Sequence, residues 1–219
     1  GYLRYIQTVL PVVEQGGEGG KTYTDEAASV VFAMSDKDTP GAYTATPDEG
    51  FSTVAFDYAA CTISGTTSIS ITGETTGEVK GGVSSGVTGI KFKVSDVNPL
   101  LTWLVKPAKG LTFTPTKLKG YINRCGTNAE KGVIISAYKH DGSPIELGKY
   151  TAWRQNYTNS GQSYDSEAVY YYEIELTADQ QAQLAGEDGF YLKATVGVGA
   201  NKEGAFGEVT ISGKLNGTV

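Results

Sequence analysis

Histidine occurs once in this 219-residue chain, at His140, and cysteine twice, at Cys61 and Cys125. One imidazole cannot build a histidine-rich metal centre, and a Ser-His-Asp relay would need that ring fixed by a buried carboxylate. The run His140-Asp141-Gly142-Ser143-Pro144 is turn chemistry, so His140 reads as a surface residue. The cysteines stand too far apart for a CxxC redox or zinc motif. Both lie in strand-like text, which leaves two readings open: a disulfide suited to an oxidising compartment, or two buried free thiols.

An excess of basic charge is also missing. With 18 Lys and Arg against 24 Asp and Glu, the net charge is -6, and an acidic chain does not suit a nucleic-acid or anionic-membrane partner, since binding phosphates needs a basic face. No apolar run reaches the roughly 18 residues that a helix needs to cross a bilayer, so no membrane span is expected. The first residues, Gly1-Tyr2-Leu3-Arg4, lack a charged and apolar leader and read as a trimmed start, natural or artificial, with any targeting segment already removed.

What is present is strand and turn text. Glycine (29) and tyrosine (14) are abundant, and period-two alternation recurs along the chain. In "FSTVAFDY" Val54, Phe56 and Tyr58 share a face; in "TSISIT" so do Ile69 and Ile71; in "GIKFKVSD" Ile90, Phe92 and Val94 point one way and Lys91 and Lys93 the other. "YYYEIELT" sets Tyr170, Tyr172, Ile174 and Leu176 against Glu173 and Glu175, the mark of a sheet with one wet side. Turns fall at 140–144, at Gly81-Gly82 and at Gly186-Glu187-Asp188-Gly189. The one helical candidate, "TADQQAQLAG", has Thr177 as cap, good helix formers over 178–184 and Gly186 as stop. These features predict an all-β fold, an antiparallel β-sandwich of jelly-roll type. A single domain over 1–219 is expected, with 1–50 irregular and supplying edge strands.

The stretch "LTFTPTKLKGYINRCGTNAEKGVIISAYKHDGSPIELG" carries a resemblance. Phe113, Pro115, Thr116 and Leu118 in a strand, the Gly126-Thr127 turn, an apolar strand led by Gly132, and the Asp141-Gly142 hairpin form a pattern. It is similar to that of secreted Bacteroidetes β-sandwich domains found beside pectate lyases and other polysaccharide-degrading enzymes. An Arg and Asn in the next loop, "YYYEIELT" and the closing "GAFGEVTISGKLNG" extend the likeness over about residues 88 to 219. The chain departs from the pattern at Asn128, where that group tends to carry Asp, and at Cys125. The resemblance implies an extracytoplasmic accessory domain, secreted or at the cell surface, that binds polysaccharide and is attached to a catalytic or anchoring region outside this chain.

Residue chemistry also points to binding. Sugar rings present C–H faces that pack on aromatics and hydroxyls that need donors and acceptors. "TAWRQNYTNSGQSYD" offers both: Trp153 or Tyr157 as stacker, with Tyr164 nearby, Arg154 as bidentate donor and Asn156 as donor and acceptor. The alternative is that Trp153 turns inward as core. Arg124 and Asn128 flank the Gly126-Thr127 turn and would reach the same edge if the strands pair as hairpins. Trp103, among Leu100, Leu101, Leu104 and Val105, reads as core or interdomain.

Catalytic signals are weak. Glu173 and Glu175 are the one sequence-local carboxylate pair near the roughly 5–10 Å that a glycosidase needs, yet paired acids on an outer strand face are ordinary. Asp36 and Asp38, and Glu187 and Asp188, could lend oxygens to a structural calcium, though neither matches a defined ligand loop. The expectation is therefore a non-catalytic carbohydrate-binding domain with a glycan partner and no cofactor. The alternative is a structural or adhesive surface protein that binds another protein.

Overall fold

The computed structural model describes residues 20–58, 61–69, 87–94, 100–125, 133–139, 142–152, 168–169, 171–196 and 203–219. In chain order the strands are β1 (Thr22–Phe32), β2 (Tyr43–Thr46), β3 (Phe51–Asp57), β4 (Cys61–Ile69), β5 (Val87–Val94), β6 (Leu100–Pro107) and β7 (Leu111–Cys125). They continue with β8 (Val133–Lys139), β9 (Ile145–Ala152), β10 (Ala168–Val169), β11 (Tyr171–Glu175), β12 (Phe190–Val196) and β13 (Glu203–Thr218). One helix, α1 (Ala178–Leu184), joins β11 to β12.

The strands form two sheets. The first runs β11-β7-β13-β1-β2, and the second β10-β9-β8-β12-β6-β3. In the first sheet β13 is the long central member: its whole length lies against β7 on one side, while β1 and then β5 take successive parts of the other side, β5 carrying β4 with it. Pairing is antiparallel throughout except for the short β9–β10 contact. The architecture is the antiparallel β-sandwich expected from the alternation.

Inward-facing side chains of both sheets meet in one apolar cluster. Phe113 of the first sheet stacks on Phe190 of the second at 6.0 Å and 12°. Trp103 meets Phe206 at 6.1 Å and Phe56 meets Phe92 at 5.8 Å across the same gap. Trp103 is thus core, as its apolar neighbours suggested, and is fully buried. Its indole Nε1–H has no hydrogen-bond partner among the described residues.

Residues 1–50 were the part with weakest periodicity, and β1 shows why. Tyr23 faces the core, as do Ala28, Val30 and Phe32, so the inward phase changes between 23 and 28. A bulge between Tyr23 and Glu26 makes the change, with Asp25 at φ 48°. Asn216 braces it from β13: the Asp25 N–H donates to Asn216 Oδ1 at 2.8 Å, and Asn216 Nδ2 donates back to Asp25 Oδ1 at 3.3 Å. Within this stretch β1 lies between β13 and β2, and β2 forms the edge.

Local signals elsewhere act as their chemistry requires. Thr177 Oγ1 accepts from the Gln180 N–H and Gln180 Oε1 accepts from the Thr177 N–H, a complete capping box on α1. Gly120 stands in register with Tyr172 of β11, and a methyl group there would come within 2.3 Å of the Tyr172 hydroxyl and 2.4 Å of Cζ. The ring of Tyr172 therefore occupies the space that any side chain at 120 would need. Cys61 is a buried free thiol, and burial pushes its pKa up to about 11.

Candidate functional site

A sandwich presents its sheets' outer faces to solvent, so the chemistry there is set by the residues that alternate away from the core. On the second sheet these are Thr53, Ala55 and Asp57 of β3, Thr102, Leu104 and Lys106 of β6, Tyr191 and Lys193 of β12, Ser136 and Tyr138 of β8, and Glu146 of β9. Each has core-directed neighbours: Val54 and Phe56, Trp103 and Val105, Leu192, Ala137, and Ile145 and Leu147.

Strand register gathers these residues into two rows running across the strands. Ala55 is paired with Leu104, Leu104 with Tyr191, and Tyr191 with Tyr138, which makes an apolar and aromatic row. One step further along the strands, Asp57 is paired with Thr102, Thr102 with Lys193, Lys193 with Ser136, and Ser136 with Glu146. This polar row crosses five strands, about 19 Å at roughly 4.8 Å per interstrand spacing.

The tyrosines are the organised part of the face. Their ring centroids are 5.1 Å apart and 23° from parallel, so the rings overlap in an offset stack, a pairing that contributes about 0.5–1.5 kcal/mol beyond area burial. Lys193 Nζ lies 4.3 Å from the Tyr138 ring centroid, where the negative face of the ring attracts an ammonium. Four other lysines are partnered by carboxylates: Lys21 with Glu49 at 2.6 Å, Lys37 with Asp38 at 2.5 Å, Lys91 with Glu203 at 3.8 Å, and Lys117 with Glu173 and, at 3.6 Å, Glu175. Lys193 has no carboxylate partner among the described residues.

The residues singled out for binding in the sequence are not on this described face. Trp153, Arg154, Asn156, Tyr157, Tyr164 and Asn128 lie outside the described residues, and of Arg124 the backbone alone is described, paired with Gly204 near the end of β7. β7 and β8 belong to different sheets and so do not pair as a hairpin. Val133 pairs with Tyr150, three residues before Trp153. Val133 and Tyr150 thus mark one end of the β8–β9 pair in the second sheet.

The catalytic and metal candidates resolve into local structure. Glu173 and Glu175 both pair with Lys117 on the outer face of the first sheet, away from the tyrosine stack. Asp36 folds its own turn: it accepts from the Asp38 N–H at 3.0 Å and from Thr39 Oγ1 at 2.9 Å, bonds that hold its carboxyl below the usual range. No group of three or more His, Cys, Asp or Glu suited to a metal is found among the described residues.

No protein-family model matches the chain, and no curated protein matches it. Among solved structures it is similar to the CBM22-1 xylan-binding domain of Xyn10C from Paenibacillus barcinonensis, at 8% identity and TM-score 0.41, covering 92% of this chain and 97% of that one. It is also similar to the low-affinity xylan-binding module CBM86 from Roseburia intestinalis, at 9% identity and TM-score 0.32, over 74% of this chain and 97% of that one. A third is the K1 cleaved adhesin domain of Lys-gingipain from Porphyromonas gingivalis W83, at 11% identity and TM-score 0.35, over 73% and 98% of the two chains. Similarity of this degree speaks to neither ligand nor activity.

Sequence reading passed over Tyr138, Tyr191 and Lys193. Each was available as the off-core member of an alternating strand, "VIISAYK" and "FYLKATV". What the alternation could not supply is that β8 and β12 are neighbours, in a register that sets Tyr138 beside Tyr191.

Proposed function

We propose that this chain is a non-catalytic carbohydrate-binding domain, acting outside the cytoplasm on polysaccharide or cell-surface glycan, with the outer face of the second sheet as its platform. The observation that carries the reading is the Tyr138–Tyr191 stack set one row from the polar line Asp57–Thr102–Lys193–Ser136–Glu146. Such a surface offers a sugar chain what it needs: apolar ridge for ring C–H faces, and donors and acceptors for hydroxyls within one strand step. Trp153, Arg154, Asn156, Tyr157 and Tyr164 follow β9, the strand that carries Glu146, in sequence, and in this reading they, together with Arg124 and Asn128, add contacts to the glycan. The sequence resemblance over residues 88–219 favours the same role and a place beside an enzyme or anchor.

Affinity electrophoresis against pectins, hemicelluloses and host glycans tests this, with Tyr191→Ala, Tyr138→Ala and Trp153→Ala alongside wild type. Losing an aromatic contact of about 0.5–1.5 kcal/mol weakens binding roughly 2- to 12-fold, with folding unchanged by circular dichroism. Unchanged binding in both tyrosine variants and loss in Trp153→Ala would move the site to the loop. Retention of none of these glycans by the wild type would sink the carbohydrate reading and favour the adhesive, protein-binding one.

A further inference from the structure

We infer that the platform selects glycans carrying an anionic group, the carboxylate of a uronate or a sulfate ester, and that Lys193 is the residue that reads it. The inference rests on the carbohydrate-binding reading and names a ligand class within it. Its ground is how Lys193 is held. Lys21, Lys37 and Lys117 each sit within ion-pair distance of an acid, whereas Lys193, beside the tyrosine stack, is oriented by an aromatic ring and by no described carboxylate. A ring positions an ammonium without cancelling its charge, so the Coulomb attraction stays available to a ligand.

Its place in the row supports the same conclusion. Lys193 stands in the middle, with uncharged Ser136 and Thr102 directly beside it and the acids Glu146 and Asp57 at the two ends, each two strands away, about 10 Å. A sugar whose ring lies on the tyrosine ridge thus brings a substituent on one edge toward the ammonium, while the hydroxyls of Ser136 and Thr102 take its neighbours. An anion is favoured at the centre of the row, and no positive charge in the row attracts one at its ends. An exposed ion pair of this kind contributes a modest gain, about two- to fivefold in affinity, and one that salt weakens.

Titration calorimetry at low salt with matched oligosaccharides decides it: uronate-bearing fragments of pectin and glucuronoxylan and their carboxyl-reduced forms, and sulfated galactan fragments with their desulfated forms. The expected result is two- to fivefold tighter binding of the acidic member of at least one pair, a preference that fades by 0.5 M NaCl. Lys193→Gln abolishes the preference but still binds the neutral member, while Lys193→Arg keeps it. Whether the carboxylate or the sulfate series shows the preference identifies the anion. Equal binding of acidic and neutral members, or a preference that survives in Lys193→Gln, overturns the inference and leaves the platform standing. Failure of the wild type to bind any member overturns the inference, and the carbohydrate reading falls with it only if the pectin, hemicellulose and host-glycan screen is also negative.

Discussion

Replacing Trp103 by Phe should cost far less stability than the burial of an indole suggests. Trp103 is fully buried between Phe56, at 5.2 Å, and Phe206, at 6.1 Å. Truncation to Ala therefore falls in the usual range for core aromatics, about 3–5 kcal/mol. Phe keeps a ring in that gap and gives up two carbons and the nitrogen. At about 0.8 kcal/mol per buried carbon group plus a small cavity term, the loss is about 2 kcal/mol. Against it stands the indole N–H, which is buried with no acceptor among the described residues. A donor in that state carries a desolvation penalty of about 1–3 kcal/mol, and Phe removes it. The two effects nearly cancel, so Trp103→Phe should lie within about 1 kcal/mol of wild type. Urea unfolding followed by far-ultraviolet circular dichroism measures this without relying on tryptophan fluorescence. A loss of about 3 kcal/mol or more at unchanged m-value would refute the reasoning, because it would mean that the N–H has a partner whose loss adds to the cavity.

Two further predictions concern the core. Gly120→Ala should destabilise by about 1–3 kcal/mol or more, the range for overpacking, because its methyl would meet the Tyr172 ring; thermal unfolding would measure it, and Tyr172→Leu in the same chain should recover part of the loss. Cys61, read in a Cys125→Ser variant, should resist alkylation: with its pKa at about 11, its thiolate fraction at pH 8 is roughly 200-fold below that of an ordinary thiol near 8.5. The rate should climb as pH rises toward that value, and prompt labelling of the native protein at pH 8 would refute a neutral buried thiol.

The sandwich was legible because its signal is local. In "GIKFKVSD" and "YYYEIELT" the two faces of a strand are written residue by residue, and Ile90, Phe92, Tyr172 and Ile174 are buried while Lys91, Glu173 and Glu175 look outward. The capping box of α1 is local too, two side chains within four residues. The alternation misleads where the backbone inserts a residue: the bulge at Asp25 shifts the phase of β1, and its brace, Asn216, lies at the other end of the chain. The platform hid for a related reason. A search for aromatic and polar residues close together in sequence finds 151–165 and passes over Tyr138 and Tyr191, since neither has a stacking partner on its own strand. Their association is made by the β8–β12 register, and so is the placing of Lys193 over the Tyr138 ring. Binding faces on sheets are therefore read from pairs of strands, and in a chain with more than a dozen strands period two leaves the pairing open. A single residue of slip between β8 and β12 would turn Tyr138 toward the core side of its neighbour and dissolve the stack. The platform thus depends on the same inward residues, Ala137 and Leu192, that fix the register from beneath.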